Sequence, residues 1–276
     1  MHIAIMQGRL VPPTDGRIQC FPRERWRDEF ALAAAAGLDA IEWIYDLHGA
    51  DVNPIGKDDG LEQVRALSAQ SGVLVRSLCA DYFMDKPLLR AEPEEIEERT
   101  ATLRWLLARC ASLGAGRVVL PFVDASRIDS DAELDHVVGM LGRVLPVLEE
   151  TGVELHLETS LSPHRFAQLL ARLPHAMLKV NYDSGNSASL GYDPADEFAA
   201  YGTRVGSVHI KDRVIGGGTV PLGSGNTDFK TLFKCLGELG YSGDFVLQVA
   251  RGASGDEMAW ARSNRDYVLA LHADGA

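Results

Sequence analysis

The chain has 276 residues, of which 46% are hydrophobic and 24% are charged, and its formal net charge is −12. The length suits one large core, and the acidic charge disfavours non-specific binding to nucleic acid, because phosphate contacts need lysine and arginine. No segment approaches the roughly 18 consecutive apolar residues of a membrane span, and the N-terminal MHIAIM segment is too short for a secretory signal. We therefore expect a cytoplasmic protein that binds neither membranes nor nucleic acid.

Short β-rich segments alternate with helical patterns from one end of the chain to the other. The predicted strands cover residues 3–6, 40–44, 73–78, 117–120, 153–158, 177–182, 205–210 and 245–248. The predicted helices cover about 23–36, 59–71, 93–113, 131–150, 163–172, 194–200, 228–239 and 256–271. Eight strand–helix units in strict alternation indicate an α/β fold with a parallel sheet, and eight strands close a (β/α)8 TIM barrel. A doubly wound open sheet is the alternative, although it requires no particular number of strands.

The longest predicted loops, at about 7–22, 79–92 and 211–227, all follow strands. In a barrel such loops lie on the C-terminal face, where active sites are found. No linker, low-complexity tract or change in composition interrupts the pattern, so we predict a single TIM-barrel domain over residues 1–276.

Polar residues at the ends of four successive predicted strands indicate a metal site. Glu158 ends the fifth strand, Asp183 follows the sixth, His209 lies in the seventh and Gln248 in the eighth. Side chains at the C-terminal ends of neighbouring barrel strands converge in space. Two carboxylates, an imidazole and an amide oxygen suit a divalent metal ion, Mn²⁺, Mg²⁺, Co²⁺ or Zn²⁺, which would polarise a carbonyl group. Taken singly, such a carboxylate is more often a helix N-cap, and a histidine such as His156 is more often a hydrogen-bonded core residue.

Four segments carry a resemblance over the whole chain: LHLET with Glu158, VNYDSGN with Asp183, SVHIKD with His209, and PLGSGNTDF at 221–229. They resemble the xylose isomerase-like superfamily of barrels, which includes sugar and sugar-phosphate isomerases, ketose 3-epimerases, dehydratases and apurinic endonucleases. The resemblance implies a metal site of Glu, Asp, His and Glu, in which both glutamates also act as bases on the two faces of a metal-bound enediolate. It also implies that Glu158 is both a ligand and a general base, and that homo-oligomers are common.

Gln248 departs from that pattern, because an amide oxygen can bind a metal ion but cannot take a proton at neutral pH. One interpretation is a reaction that needs only one base, such as an isomerisation or a dehydration. A second is that another group supplies the second proton, with Lys211, Glu42 and His164 as candidates. A third is that catalysis has been lost while a sugar-like ligand is still bound.

Further polar and aromatic residues lie in the predicted loops around this rim and suit a polyol. They are Gln7, Arg9, Glu42, Tyr82, His164, Asn186 and Arg251. Planar amide, guanidinium and carboxylate groups can hold the hydroxyl, phosphate or carboxylate groups of a small substrate. In the alternative interpretation, Arg9 and Arg251 form surface ion pairs, and Lys211 pairs with Asp212.

The resulting hypothesis is a metal-dependent isomerase, epimerase or dehydratase that acts on a small sugar, sugar phosphate or cyclitol, with Glu158 and Lys211 as catalytic residues. The alternative is a degenerate barrel that binds a sugar-like ligand without turnover. A nuclease like the apurinic endonucleases is disfavoured, because that resemblance implies a metal site richer in His and Glu, whereas this chain has eight histidines and a net charge of −12.

Overall fold

Eight parallel strands close into a barrel in the computed structural model, which describes residues 1–252 and 255–275. Within these residues the strands are β1 (His2–Met6), β2 (Ala40–Ile44), β3 (Leu74–Cys79), β4 (Arg117–Phe122), β5 (Glu154–Thr159), β6 (Leu178–Asp183), β7 (Val205–Ile210), β8 (Asp212–Arg213), β9 (Thr219–Val220) and β10 (Asp244–Leu247). Strands β1 to β7 follow one another around the barrel, and β10 closes it between β7 and β1. The remaining two strands, β8 and β9, form an antiparallel hairpin. The predicted (β/α)8 barrel is therefore confirmed.

Helices connect the strands and surround the barrel. They are α1 (Asp28–Ala36), α2 (Asp58–Ser71), α3 (Tyr82–Asp85), α4 (Pro93–Leu113), α5 (Asp131–Gly142), α6 (Leu145–Thr151), α7 (Pro163–Arg172), α8 (Ser184–Leu190), α9 (Pro194–Tyr201), α10 (Phe229–Glu238) and α11 (Glu257–Gly275). Among the described residues, none of the helices combines the length and the apolar character that crossing a membrane requires.

The structure differs from the predicted elements mainly in the connections. The predicted helix at 131–150 is two helices, α5 and α6, because Pro146 near the start of α6 has no N–H with which to continue the hydrogen bonds of α5. The loops predicted after β3 and β6 contain α3 and α8, and the loop at 211–227 contains the β8–β9 hairpin. Asn186, predicted in a loop, therefore lies in α8, for which Asp183 is the N-cap.

Three adjacent strands carry polar side chains into the barrel. Alternate residues of a strand share one face of a sheet, and the polar positions alternate accordingly. They are Glu154, His156 and Glu158 on β5, Lys179, Asn181 and Asp183 on β6, and Ser207 and His209 on β7. The intervening residues on these strands, such as Leu155, Leu157 and Val208, are fully buried apolar side chains. The C-terminal end of this polar column is the candidate site.

Candidate active site

Three of the predicted ligand residues meet at the C-terminal ends of adjacent strands. Glu158, Asp183 and His209 come from β5, β6 and β7, and one ligand atom of each lies within 4.8 Å of the others. All three residues are buried. Their convergence follows from the strand order, because β5 pairs with β6 and β6 pairs with β7.

His209 is held in one orientation by a buried carboxylate. Its Nε2 lies 2.6 Å from Oε1 of Glu42, a fully buried residue on β2. Its Nδ1 lies 3.3 Å from Oε2 of Glu158 and 3.8 Å from Oδ2 of Asp183, but it makes no hydrogen bond with the residues that the structure describes. Burial alone would lower the pKa of His209, yet Glu42, Asp183 and Glu158 together raise that pKa well above its usual range.

This donor set fits a divalent metal ion. Two carboxylate oxygens and an imidazole nitrogen that faces them are typical ligands of Zn²⁺ and related ions. A metal-binding histidine usually donates its other ring N–H to a carboxylate, which fixes the tautomer and the ring orientation. Glu42 has that position relative to Nε2 of His209, so Nδ1 is the ring nitrogen that would bind a metal ion, with release of the proton that the raised pKa places on it.

Side-chain amides hold both oxygens of Glu158. Asn181 Nδ2 donates to Oε2 at 2.9 Å, and Asn186 Nδ2 donates to Oε1 at 2.7 Å. Asp183 accepts from the backbone N–H of Asn186 at 2.8 Å, and this hydrogen bond caps the N-terminus of α8. Burial alone would raise the pKa of Asp183, but the nearby Lys211 ammonium is the main group that lowers it to about 2. Asp183 is therefore ionised at neutral pH.

Lys211 reaches the site beside Gln248. Its Nζ donates to Oε1 of Gln248 at 3.0 Å and lies 3.4 Å from Oδ2 of Asp183. Gly185 leaves space for this side chain, since a Cβ at that position would lie 2.6 Å from Cγ of Lys211. Asp212 instead accepts from three backbone N–H groups of the loop that follows β9, so the alternative pairing of Lys211 with Asp212 is wrong.

A cavity of about 280 Å³ adjoins these residues. Its wall includes Glu158, Asn186, Lys211 and Gln248, together with Arg9 from the loop after β1. The volume is near the lower end of the roughly 300–1,000 Å³ that small-molecule sites enclose. The cavity therefore suits a substrate of about monosaccharide size.

Asp81 adds a further carboxyl group to the cavity wall, in the loop after β3. Its Oδ2 accepts from Nε2 of Gln19 at 2.7 Å, and its Oδ1 accepts from Sγ of Cys79 at 3.2 Å. Burial raises the pKa of Asp81 to about 6. Asp81 is thus one of several carboxyl groups that line the cavity besides Glu158.

Several predicted substrate contacts do not line this cavity. Glu42 is fully buried against His209, and Gln7 is fully buried with its Oε1 accepting from the backbone N–H of Ile44. Tyr82 packs its ring against Tyr45 at a centroid distance of 5.9 Å. Gln7 and Glu42 are therefore packed away from the cavity, and the half-buried Tyr82 packs on an aromatic neighbour.

His164 and Arg251 also lie outside the cavity wall. His164 is exposed on α7, where its Nε2 lies 2.9 Å from Nε2 of Gln168. Arg251 donates to three backbone carbonyls of the loop after β1, and Arg9 donates to the carbonyl of Val249 and to Oε1 of Gln19. In the described part of the chain neither arginine forms the predicted surface ion pair, because backbone carbonyls and an amide occupy their N–H groups.

Two polar residues of the site were not predicted from the sequence. Asn181 donates to Glu158, and Nη1 of Arg213 donates to Oδ1 of Asn186 at 2.8 Å. Both lie two residues from a predicted site residue, Asn181 before Asp183 and Arg213 after Lys211. For Asn181, which lies in β6 with Asp183, the period of two along a strand was the available signal.

A closed eight-stranded barrel with a candidate divalent-metal centre at the C-terminal ends of its strands defines the class of this protein. The chain belongs to the family of xylose isomerase-like TIM barrels, whose family model matches residues 30–268. The resemblance predicted from the segments around Glu158, Asp183 and His209 is thereby confirmed.

Relatives of known structure or activity cover nearly the whole chain. The L-ribulose-5-phosphate 3-epimerase of Salmonella paratyphi A is 24% identical over an alignment of 258 residues, and the match covers 90% of this chain and 90% of the epimerase. The solved structure of the IOLI protein with a bound zinc atom has a TM-score of 0.79 at 16% identity and covers 100% of this chain and 99% of its own. A xylose isomerase-like TIM barrel protein from Mycobacterium smegmatis in complex with magnesium has a TM-score of 0.72 at 20% identity, with coverage of 100% and 98%. The structural similarity confirms the fold, and the epimerase supports the predicted isomerase or epimerase class.

Proposed function

We propose that the protein is a metal-dependent isomerase or epimerase of a small sugar or sugar phosphate. The observation that carries this proposal is the buried Nδ1 of His209, which faces the carboxylates of Glu158 and Asp183 and makes no hydrogen bond within the described residues. A divalent ion held there, Mn²⁺, Mg²⁺, Co²⁺ or Zn²⁺, would polarise the carbonyl group of the substrate. The relative from Salmonella paratyphi A, named for a pentulose phosphate, supports this substrate class.

Glu158 is the proposed general base. Such a base must stand at a fixed position within reach of the proton that it removes, here one on the carbon next to the substrate carbonyl. Glu158 lines the cavity, and the amides of Asn181 and Asn186 donate to its two oxygens at 2.9 and 2.7 Å. These contacts restrict the carboxylate to one orientation.

Lys211 is the proposed second proton-transfer residue. An epimerisation returns a proton to the opposite face of the enediolate, and the amide of Gln248 cannot supply it. Of the three candidates predicted from the sequence, Lys211 lines the cavity, whereas Glu42 and His164 do not. Gln248 remains a proposed metal ligand through Oε1, the atom that accepts from Lys211 in this structure.

Arg9 and Asn186 are the predicted substrate contacts that line the cavity, and we assign them to the hydroxyl or phosphate oxygens of the substrate. Two of the remaining predicted contacts support the site from behind it. Glu42 acts through His209, and Arg251 acts through the loop after β1, to which it donates three hydrogen bonds.

Deuterium exchange tests the proposal. The protein is incubated in D2O with Mn²⁺ or Mg²⁺ and a panel of ketoses, sugar phosphates and cyclitol ketones, and the carbon-bound proton next to the carbonyl is followed by NMR. We expect exchange by the wild-type protein and a loss of about 100-fold or more in Glu158→Gln, because general bases contribute about that much. Glu150→Gln, at an exposed position of α6, is the matched control. Absence of exchange across the panel, together with absence of divalent-ion binding, would contradict the proposal.

Two related outcomes are separated by the same assay. A dehydration begins with the same proton transfer but yields a product that has lost water, which the NMR spectrum of the product shows. A barrel that only binds its ligand is favoured by Gln248, which replaces a titratable side chain with an amide. In that case the wild-type protein shows no exchange, and Gln248→Glu gains it.

A further inference from the structure

A chain of hydrogen bonds runs through the barrel interior and ends on Glu158. Oε2 of Glu154 lies 2.9 Å from Nε2 of His156, and Nδ1 of His156 lies 2.7 Å from Oγ of Ser207. Ser207 Oγ donates to Oδ1 of Asn181 at 2.6 Å, and Asn181 Nδ2 donates to Oε2 of Glu158 at 2.9 Å. The three middle residues, His156, Ser207 and Asn181, are at most 2% exposed. They lie in the barrel interior, which branched apolar side chains usually fill.

The Glu158 carboxylate determines the direction of the hydrogen bonds that Asn181 makes. Glu158 can only accept, so the Asn181 amide presents Nδ2 to it and Oδ1 to Ser207. Ser207 donates its one hydroxyl proton to Oδ1 of Asn181, whereas the direction of its 2.7 Å contact with Nδ1 of His156 depends on the tautomer of that ring. The Asn181 amide thus has one orientation, because a reversed amide would place its oxygen against the oxygen of Glu158.

The end of this hydrogen-bond chain that lies away from Glu158 is held by a surface ion pair and by packing. Nζ of Lys179 lies 2.6 Å from Oε1 of Glu154, at the face of the barrel opposite the candidate site. Gly206 gives the His156 ring its space, because a Cβ on Gly206 would lie 2.6 Å from Cε1 of His156. The ring of His156 is therefore held both by its two ring nitrogens and by the backbone that packs against it.

We infer that His156, Ser207 and Asn181 are positioning residues for the metal-binding oxygen of Glu158. The inference rests on the proposed metal site. The chain ends on Oε2 of Glu158, which is also the oxygen that faces Nδ1 of His209 at 3.3 Å. The other oxygen is held separately by Asn186. The hydrogen-bond chain accordingly sets the direction of the ligand atom Oε2, whereas Asn186 holds Oε1.

Binding of Mn²⁺ alone to the full chain, measured by isothermal titration calorimetry, tests the inference without any need for turnover. Ser207→Ala removes the middle of the chain and leaves the Asn181 amide free to rotate. Changes in the outer shell of a metal site typically weaken affinity by about 10–100-fold, and we expect about a 10-fold loss. Asn181→Leu, which removes the amide next to Glu158 at a similar volume, should lose more, and His156→Phe, one step further away, should lose less.

Thr100→Val is the matched control. Thr100 is fully buried on α4, and its hydroxyl donates to the backbone carbonyl of Ile96 at 2.7 Å, far along the chain from the site. We expect Thr100→Val and Ser207→Ala to lower the melting temperature, but only the latter to weaken Mn²⁺ binding. This difference separates positioning from a merely structural contribution to stability.

The outcomes distinguish a failure of the inference from a failure of the proposed function. A wild-type protein that binds no Mn²⁺ would overturn both. Wild-type binding with an unchanged affinity in Ser207→Ala would overturn the positioning role alone. If Ser207→Ala does not fold, two other variants take its place in the test. Ser207→Cys retains a weak S–H donor, and His156→Phe leaves Ser207 unchanged. Unchanged affinity in His156→Phe would overturn the inference in the same way, and so would a loss in Ser207→Cys as large as that in Asn181→Leu, because the cysteine still has a donor.

Discussion

Replacing Glu42 with glutamine measures how much the buried carboxylate behind His209 contributes to metal binding. Oε1 of Glu42 lies 2.6 Å from Nε2 of His209, and both side chains are fully buried. The substitution keeps the volume and one acceptor oxygen, but it removes the charge that orients the ring and increases its basicity. We expect Mn²⁺ affinity to fall by about 10–100-fold, which corresponds to about 1.4–2.8 kcal/mol.

Calorimetric titration of the full chain with Mn²⁺ at neutral pH is the assay, and Glu29→Gln is the matched control. Glu29 is also fully buried, but burial raises its pKa to about 8, so it is mostly protonated at neutral pH and an amide resembles it. It accepts from the backbone N–H groups of Gly8 and Leu10 and contacts none of the proposed ligands. If Glu42→Gln binds Mn²⁺ as tightly as the control does, Glu42 does not orient a metal ligand.

Three other perturbations test separate parts of the structure. Gly185→Ala should displace Lys211, because Cγ of Lys211 would lie 2.6 Å from the new Cβ. We expect deuterium exchange to slow by about 100-fold while the Mn²⁺ affinity stays unchanged. Undiminished exchange would argue against a catalytic Lys211. Burial raises the pKa of Glu29 from 4.5 to about 8, so the folded state binds the extra proton. The melting temperature of the wild-type protein should therefore fall as the pH rises from about 5 to 8, and that of Glu29→Gln should fall less steeply. If the two melting curves are parallel over this pH range, the pKa of Glu29 is not raised. Asp244→Asn should reduce the free energy of unfolding in urea by about 3 kcal/mol, because Asp244 is buried and pairs with Arg117 at 2.5 Å. A loss below about 1 kcal/mol would show that this pair adds little to stability.

The candidate site was predictable to the extent that strand ends determine it. Glu158, Asp183 and His209 could be placed together from the sequence, because neighbouring parallel strands bring their C-terminal ends to one face. The partners of Lys211 and Asp212 could not, since the segment 211–227 was predicted as a loop, whereas it contains the β8–β9 hairpin. In the structure Lys211 approaches Gln248, while Asp212 binds the backbone of the loop after β9.

The amino-acid sequence by itself determined the eight strand–helix units, and with them the barrel and the face on which the site lies, because strand and helix periods are local properties. Only the tertiary structure decided which buried groups meet. Glu42 and His209 are 167 positions apart, yet they lie 2.6 Å from each other. The path from His156 through Ser207 and Asn181 to Glu158 likewise crosses three strands. Such contacts depend on strand register and side-chain direction, which only closure of the barrel determines.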